Sequence, residues 1–166
     1  MWLCTTATWT VPTYAQFQAL FWRDFNYAPT GDPNNQAYVC VQDINQAISD
    51  AQQNFNPGIF GIGQNLVNPN PNGLANATNV FLYLVAFYLV VNLQNSAKGI
   101  SSQTNFPISS KSAGGVAVSY SIPERYLKSP IMSQYTQNGY GMKYLSLVLP
   151  YTVGNISIIP GTTTFT

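Results

Sequence analysis

Apolar side chains return at helical intervals in three stretches of this 166-residue chain and alternate with small ones in a fourth. Thr13 stands where it can cap a helix, and Tyr14, Phe17, Leu20 and Phe21 follow at three- and four-residue spacing. This predicts a short amphipathic helix. A second stripe, Val39, Val41, Ile44, Ala47, Ile48 and Ala51, is backed by Gln42, Asp43, Asn45, Gln46 and Asp50, so a helix is expected over about Val41 to Gln53. The third stretch, about Leu74 to Ala97, holds the unbroken apolar run Val80 to Val91. Apolar on nearly all sides, that helix needs neighbours all round, from its own domain or from adjacent subunits.

Turn-forming residues separate these stretches. Pro29, Gly31, Pro33, Asn34 and Asn35 make Phe25 to Gln36 a loop, and Asn56 to Gly73 reads as a second loop with one short apolar turn around Ile59 to Ile62. After a Ser-rich segment, Val116, Val118 and Tyr120 alternate with Ala117, Ser119 and Ser121, the pattern of a strand, and a strand or hairpin is expected over Ser112 to Ile122. Ser129 and Pro130 read as the cap and first position of a helix to about Gln137. Asn138-Gly139-Tyr140-Gly141 reads as a tight turn, and Met142 to Leu149 as either helix or strand. Beyond Pro150, Gly154, Pro160 and Gly161 argue against a helix, yet Val153, Ile156, Ile158, Ile159 and Phe165 are strongly apolar. The expected fold is mainly α: a small helical bundle over residues 1–150 with a projecting β-strand or hairpin around 112–122, and an extended C-terminal arm over 151–166.

Composition narrows the function. Only 7% of residues are charged against roughly 25% in ordinary soluble proteins, and Asn, Gln, Ser and Thr take their place. A formal net charge of +1 is too small for affinity built on phosphate contacts, so sequence-specific DNA binding is not expected. Depleted charge with 14% aromatic residues fits the centres of permanent interfaces. The chain has no histidine, which removes Ser-His and Cys-His nucleophile systems and the commonest metal ligand. Asp43 and Asp50 share one side of the second helix and read as a solvated polar face; no catalytic residue, metal site or cofactor site is assigned. Gly58, Gly61 and Gly63 lack the Lys-Ser or Lys-Thr of a phosphate-binding loop. Arg125 and Lys128 flanking Tyr126, and Arg23 beside Asp24, read as exposed turns or contacts to a neighbouring subunit.

Cys4 and Cys40 have neither the spacing nor the partners of a metal site and are read as thiols or small packing residues. Met1 to Val11 lacks the features of a signal peptide, so synthesis and retention in the cytosol are expected. The 12 apolar residues of Val80 to Val91 fall short of the roughly 20 that span a bilayer, so no membrane association is expected.

The order of segments resembles the head-to-tail adaptor family of tailed bacteriophages. The resemblance runs from about Thr13 to Gly154 and is carried by Phe17, Phe21 and Phe25, by Val41 to Gln53, and by the long apolar helix. Ser112-Ala113-Gly114-Gly115-Val116-Ala117-Val118-Ser119-Tyr120 looks like the family's small-residue turn into an alternating strand. Thr136 to Leu147 looks like its aromatic-glycine motif. Two positions depart from the family pattern: Ala86 is followed by Phe87 where a histidine is common, and Pro150 and Tyr151 stand where a basic residue is usual. The resemblance implies a virion structural protein, not an enzyme, that forms a ring of about twelve copies beneath the portal. Such a ring extends the DNA channel and docks a downstream neck, stopper or tail protein. The expected partners are then the portal and neighbouring copies of the chain. Subunit contact is expected at Val116, Val118 and Tyr120, and portal docking at Val153, Ile156, Ile158, Ile159 and Phe165. Alternatives are another tail-completion or minor capsid subunit, or a small histidine-free hydrolase.

Overall fold

A computed structural model describes residues 8–32, 37–61, 72–98, 110–113, 116–119 and 128–153, with the backbone alone described at Lys98, at 110–113, at 116–119 and at Val153. It is mainly helical. The helices are α1 (Tyr14–Leu20), α2 (Val41–Asn54), α3 (Gly73–Lys98), α4 (Pro130–Gln134) and α5 (Gly139–Val153). Short 3-10 turns stand at Pro57–Phe60 and Tyr135–Gln137.

Local chemistry explains where the helices begin. The backbone N–H of Thr13 donates to Gln16 Oε1 at 2.8 Å, and that of Cys40 to Asp43 Oδ2 at 2.9 Å, so each side chain in the first turn closes back on the residue before the helix. Ser129 Oγ accepts from the backbone of Met132, with Pro130 in the first turn of α4. Val39 does not continue the α2 stripe: it pairs with Tyr27 in an isolated parallel bridge, its N–H donating to Asn26 O at 2.8 Å. The extended backbone there holds the entry loop against the bundle.

α2 and α5 both pack along α3. α2 buries Ile44, Ala47, Ile48 and Ala51, the predicted stripe. α3 buries Ala77, Val80, Phe81, Leu82, Leu84, Val85, Ala86, Phe87 and Leu89. At about 100° per residue these positions occupy most of its circumference. Its neighbours include two aromatic groups. Trp9, Phe55 and Phe81 have ring centroids 5.2 Å apart in the Trp9–Phe55, Trp9–Phe81 and Phe55–Phe81 pairs, while Phe21 meets Tyr83 at 5.3 Å and Tyr140 at 5.6 Å. The stretch Gly73–Ala97 is long and apolar enough to cross a membrane by length and composition, and half of it is buried inside the protein. Enclosure of this kind is what a core helix requires.

Two expectations about the C-terminal half are corrected, and one open choice is settled. Asn138 to Gly141 is not a tight turn: Asn138 Oδ1 accepts from the Gly141 N–H at 3.0 Å, so Asn138 starts α5 as a cap. Met142 to Leu149 is helix, and the helix runs through Pro150 to Val153. Tyr151 is held there because its ring packs on Phe60 with centroids 4.6 Å apart and its hydroxyl accepts from Asn76 Nδ2 at 2.7 Å. An extended arm therefore begins no earlier than Gly154, and Ile156, Ile158, Ile159 and Phe165 lie outside the described residues. Backbone pairing joins β1 (Ser110–Ala113) to β2 (Val116–Ser119) antiparallel, with Ser110 opposite Ser119 and Ala113 opposite Val116. Tyr120 and Cys4 lie outside the described residues.

Candidate functional site

Two surfaces carry side chains that the core does not use. The first surrounds the end of α1. A helix of seven residues turns Phe17 inward, and Phe21, just past its end, packs with Phe25 and Tyr140. Leu20 and Trp22 flank Phe21 and point away, 39% and 62% exposed. The Arg23 guanidinium lies 4.4 Å from the centroid of the Trp22 ring, within the range of a cation–π contact. Asp24 is engaged elsewhere, accepting from the Tyr140 hydroxyl at 3.2 Å. Arg23 and Asp24, adjacent in sequence, thus have separate partners: Arg23 stiffens an exposed indole, and Asp24 ties the loop to α5. Burial, with the Asp24 carboxylate beside it, pushes the Tyr140 hydroxyl up to about 12.

The second surface is a groove between α2 and the last turns of α3. It consists of two depressions of about 340 and 740 Å³ that share Asp43, Leu93 and Ser96. Asp50 Oδ2 accepts from Asn92 Nδ2 at 2.8 Å, bridging the two helices, and Asp50 Oδ1 accepts from Gln46 at 2.9 Å. Asp43 closes the cap of α2 onto Cys40. Both carboxylates therefore have structural partners, as hydrogen-bonded groups on a polar helix face should. Cys40 is buried at one end, where desolvation and the neighbouring Asp43 raise its thiol above the ordinary value.

The groove is open, and among the described residues no three His, Cys, Asp or Glu side chains gather as a metal-binding set would require. What the groove can do chemically is accept hydrogen bonds and attract positive charge. Of the residues expected at a subunit contact, Val116 and Val118 sit in β2 with Ala117 between them. Val153 is the last residue of α5. The Trp22–Arg23 stack was not read from the sequence. The α1 spacing placed Leu20 on the apolar stripe with Phe17 and Phe21, but in the structure Leu20 is 39% exposed beside Trp22, because the helix turns Phe17 inward and ends at Leu20.

Compared with family models, curated proteins and solved structures, the chain matches none.

Proposed function

We propose that the protein is a virion structural protein, a head-to-tail adaptor that forms a ring beneath the portal, extends the DNA channel and docks the next neck or tail protein. The observation that carries this reading is the Leu20–Trp22–Arg23 surface. An indole 62% exposed and stacked under a guanidinium is an ordered, amphipathic anchor of the kind that dominates protein–protein contacts. It stands on a chain with only 7% charged residues, where little electrostatic repulsion opposes close packing of copies. A mainly helical bundle around one long apolar helix is also what the adaptor resemblance implies.

In this reading the β1–β2 ribbon projects from the bundle and contacts the neighbouring subunit through Val116, Val118 and Tyr120. Val153, Ile156, Ile158, Ile159 and Phe165 belong to the portal-docking end. The protein works at the neck of the virion by contact, without a chemical step.

Native mass spectrometry of the protein, alone and mixed with its portal protein, tests the reading. A discrete ring mass, or a defined complex with portal, is expected. A chain that stays monomeric alone and with portal overturns it, and a defined complex with a capsid or tail protein in place of portal assigns it to another phage structure.

A further inference from the structure

Pro150 stands inside α5, in its last turn. A proline in a helix has no N–H to donate, and its ring crowds the carbonyl four residues back, here that of Ser146. The hydrogen-bond ladder of α5 therefore lacks a rung where residues 151–153 begin. Before the proline the helix is pinned by the core, with Tyr144 7% and Leu145 4% exposed. After it the anchoring changes. Pro150 and Thr152 face water, and the Thr152 hydroxyl turns back on its own helix, donating to Leu149 O at 3.1 Å. Tyr151 is partly buried and reaches two other elements. Its ring lies on Phe60 of the Pro57–Phe60 turn, and its hydroxyl accepts from Asn76 in the first turn of α3.

Phe60 is 2% exposed and also stacks on Phe55, with centroids 5.8 Å apart and planes 26° from parallel. Lifting Tyr151 breaks its ring contact and its hydrogen bond, while Phe60 keeps Phe55 and α5 keeps Tyr144 and Leu145 in the core. We propose that residues 150–153 form a strap hinged at Pro150, with Tyr151 as the latch, that opens without unfolding of the bundle. The structure shows the strap closed. Closed, it completes α5 and covers one side of Phe60. Open, it frees the chain after Leu149 and uncovers that side, so one small motion withholds or offers both. The proposal goes beyond the adaptor reading, and its test needs no partner.

The test is amide hydrogen exchange of the full-length chain followed residue by residue by NMR. After correction for intrinsic rates, Tyr151, Thr152 and Val153 should share one opening equilibrium and exchange at least about tenfold faster than Tyr144 and Leu145, because local opening requires less free energy than global unfolding. Tyr151→Phe keeps the ring and removes the hydrogen bond, and should speed the three amides about fivefold. Tyr151→Ala removes the ring contact as well and should speed them about thirtyfold. Asn76→Ala should match Tyr151→Phe, although the two positions are 75 residues apart in sequence. Pro150→Ala restores the missing donor and should slow the three amides at least about tenfold. Exchange of residues 151–153 as slow as that of Tyr144 and Leu145 overturns the proposal, since the turn would then open only with the whole protein. A graded rise toward Val153 that ignores Tyr151→Phe and Asn76→Ala is ordinary fraying of a helix end and overturns it equally. No slowing in Pro150→Ala removes Pro150 as the hinge.

Discussion

α2 and α3 pack against each other, yet they encode their positions differently. α2 buries Ile44, Ala47, Ile48 and Ala51 on one stripe and shows Gln42, Asn45 and Gln46 to water, so its sequence gives the direction of the core. α3 buries residues on almost every side between Ala77 and Leu89, so its sequence gives only its depth. The difference shows that an amphipathic helix carries its own orientation, while an all-apolar helix borrows its orientation from whatever surrounds it.

The sharpest way to break this comparison is to truncate opposite sides of α3. Leu82 and Leu84 leave the helix about 160° apart, and both are buried. Leu82→Ala and Leu84→Ala should each lose about 2–5 kcal/mol in urea titrations, and Phe81→Ala or Phe87→Ala about 3–5 kcal/mol. If one leucine costs less than about 1 kcal/mol, α3 has a solvent side and the contrast with α2 collapses.

A second test probes how closely α5 approaches α3. A Cβ on Gly141 would run into the Tyr135 carbonyl oxygen and come within 2.7 Å of Phe87 Cδ2. Gly141→Ala should therefore cost about 1–3 kcal/mol by overpacking, although alanine is the better helix former. A stabilised Gly141→Ala protein would show that α5 can move away freely.

On the polar side the effects should be smaller. Asp50→Ala removes the acceptor for Asn92 and should cost about 1 kcal/mol, as should Asn92→Ala. The double variant should lose less than the sum, because both changes remove one bond. Full additivity would mean that the bridge contributes nothing.

Alkaline pH should weaken the aromatic side before the aliphatic one. Burial raises the hydroxyls of Tyr27, Tyr88, Tyr140 and Tyr144, with Tyr140 at about 12 against an ordinary 10. A folded value above the unfolded one favours the neutral phenol in the folded state. Its contribution is fully present below pH 10 and is lost between pH 10 and about 12. Thermal melts across that window should show a falling Tm, and Tyr140→Phe should flatten the fall. An unchanged slope in that variant would remove Tyr140 as a contributor.

The smallest effect on stability should come from the contact surface. Trp22→Ala should change unfolding free energy by less than about 0.5 kcal/mol, since the ring is mostly exposed. Ring formation or portal binding should nevertheless weaken markedly. A large loss of Tm with unaltered assembly would return Trp22 to a packing role.

The chain's own pattern determined α1, α2, α3 and the start of α4, because spacing, caps and breakers act over a few residues. Thr13 and Ser129 stand at helix starts, as their positions in the sequence predict, while the closure of Asp43 onto the Cys40 N–H was seen only in the structure. The pattern also determined that Asp43 and Asp50 share a side, since that follows from helical periodicity alone. Only tertiary structure decided that this side borders the last turns of α3 and makes a groove, because Asp50 meets Asn92 across 42 residues of sequence. The same holds for the start and end of α5. Asn138 to Gly141 has the composition of a turn, and Pro150 that of a helix end. Close packing of Gly141 against Tyr135 and of Tyr151 against Phe60 instead favoured helix throughout. Local propensity differs among conformations by about 1 kcal/mol at most positions, and burial of a single aromatic ring outweighs it.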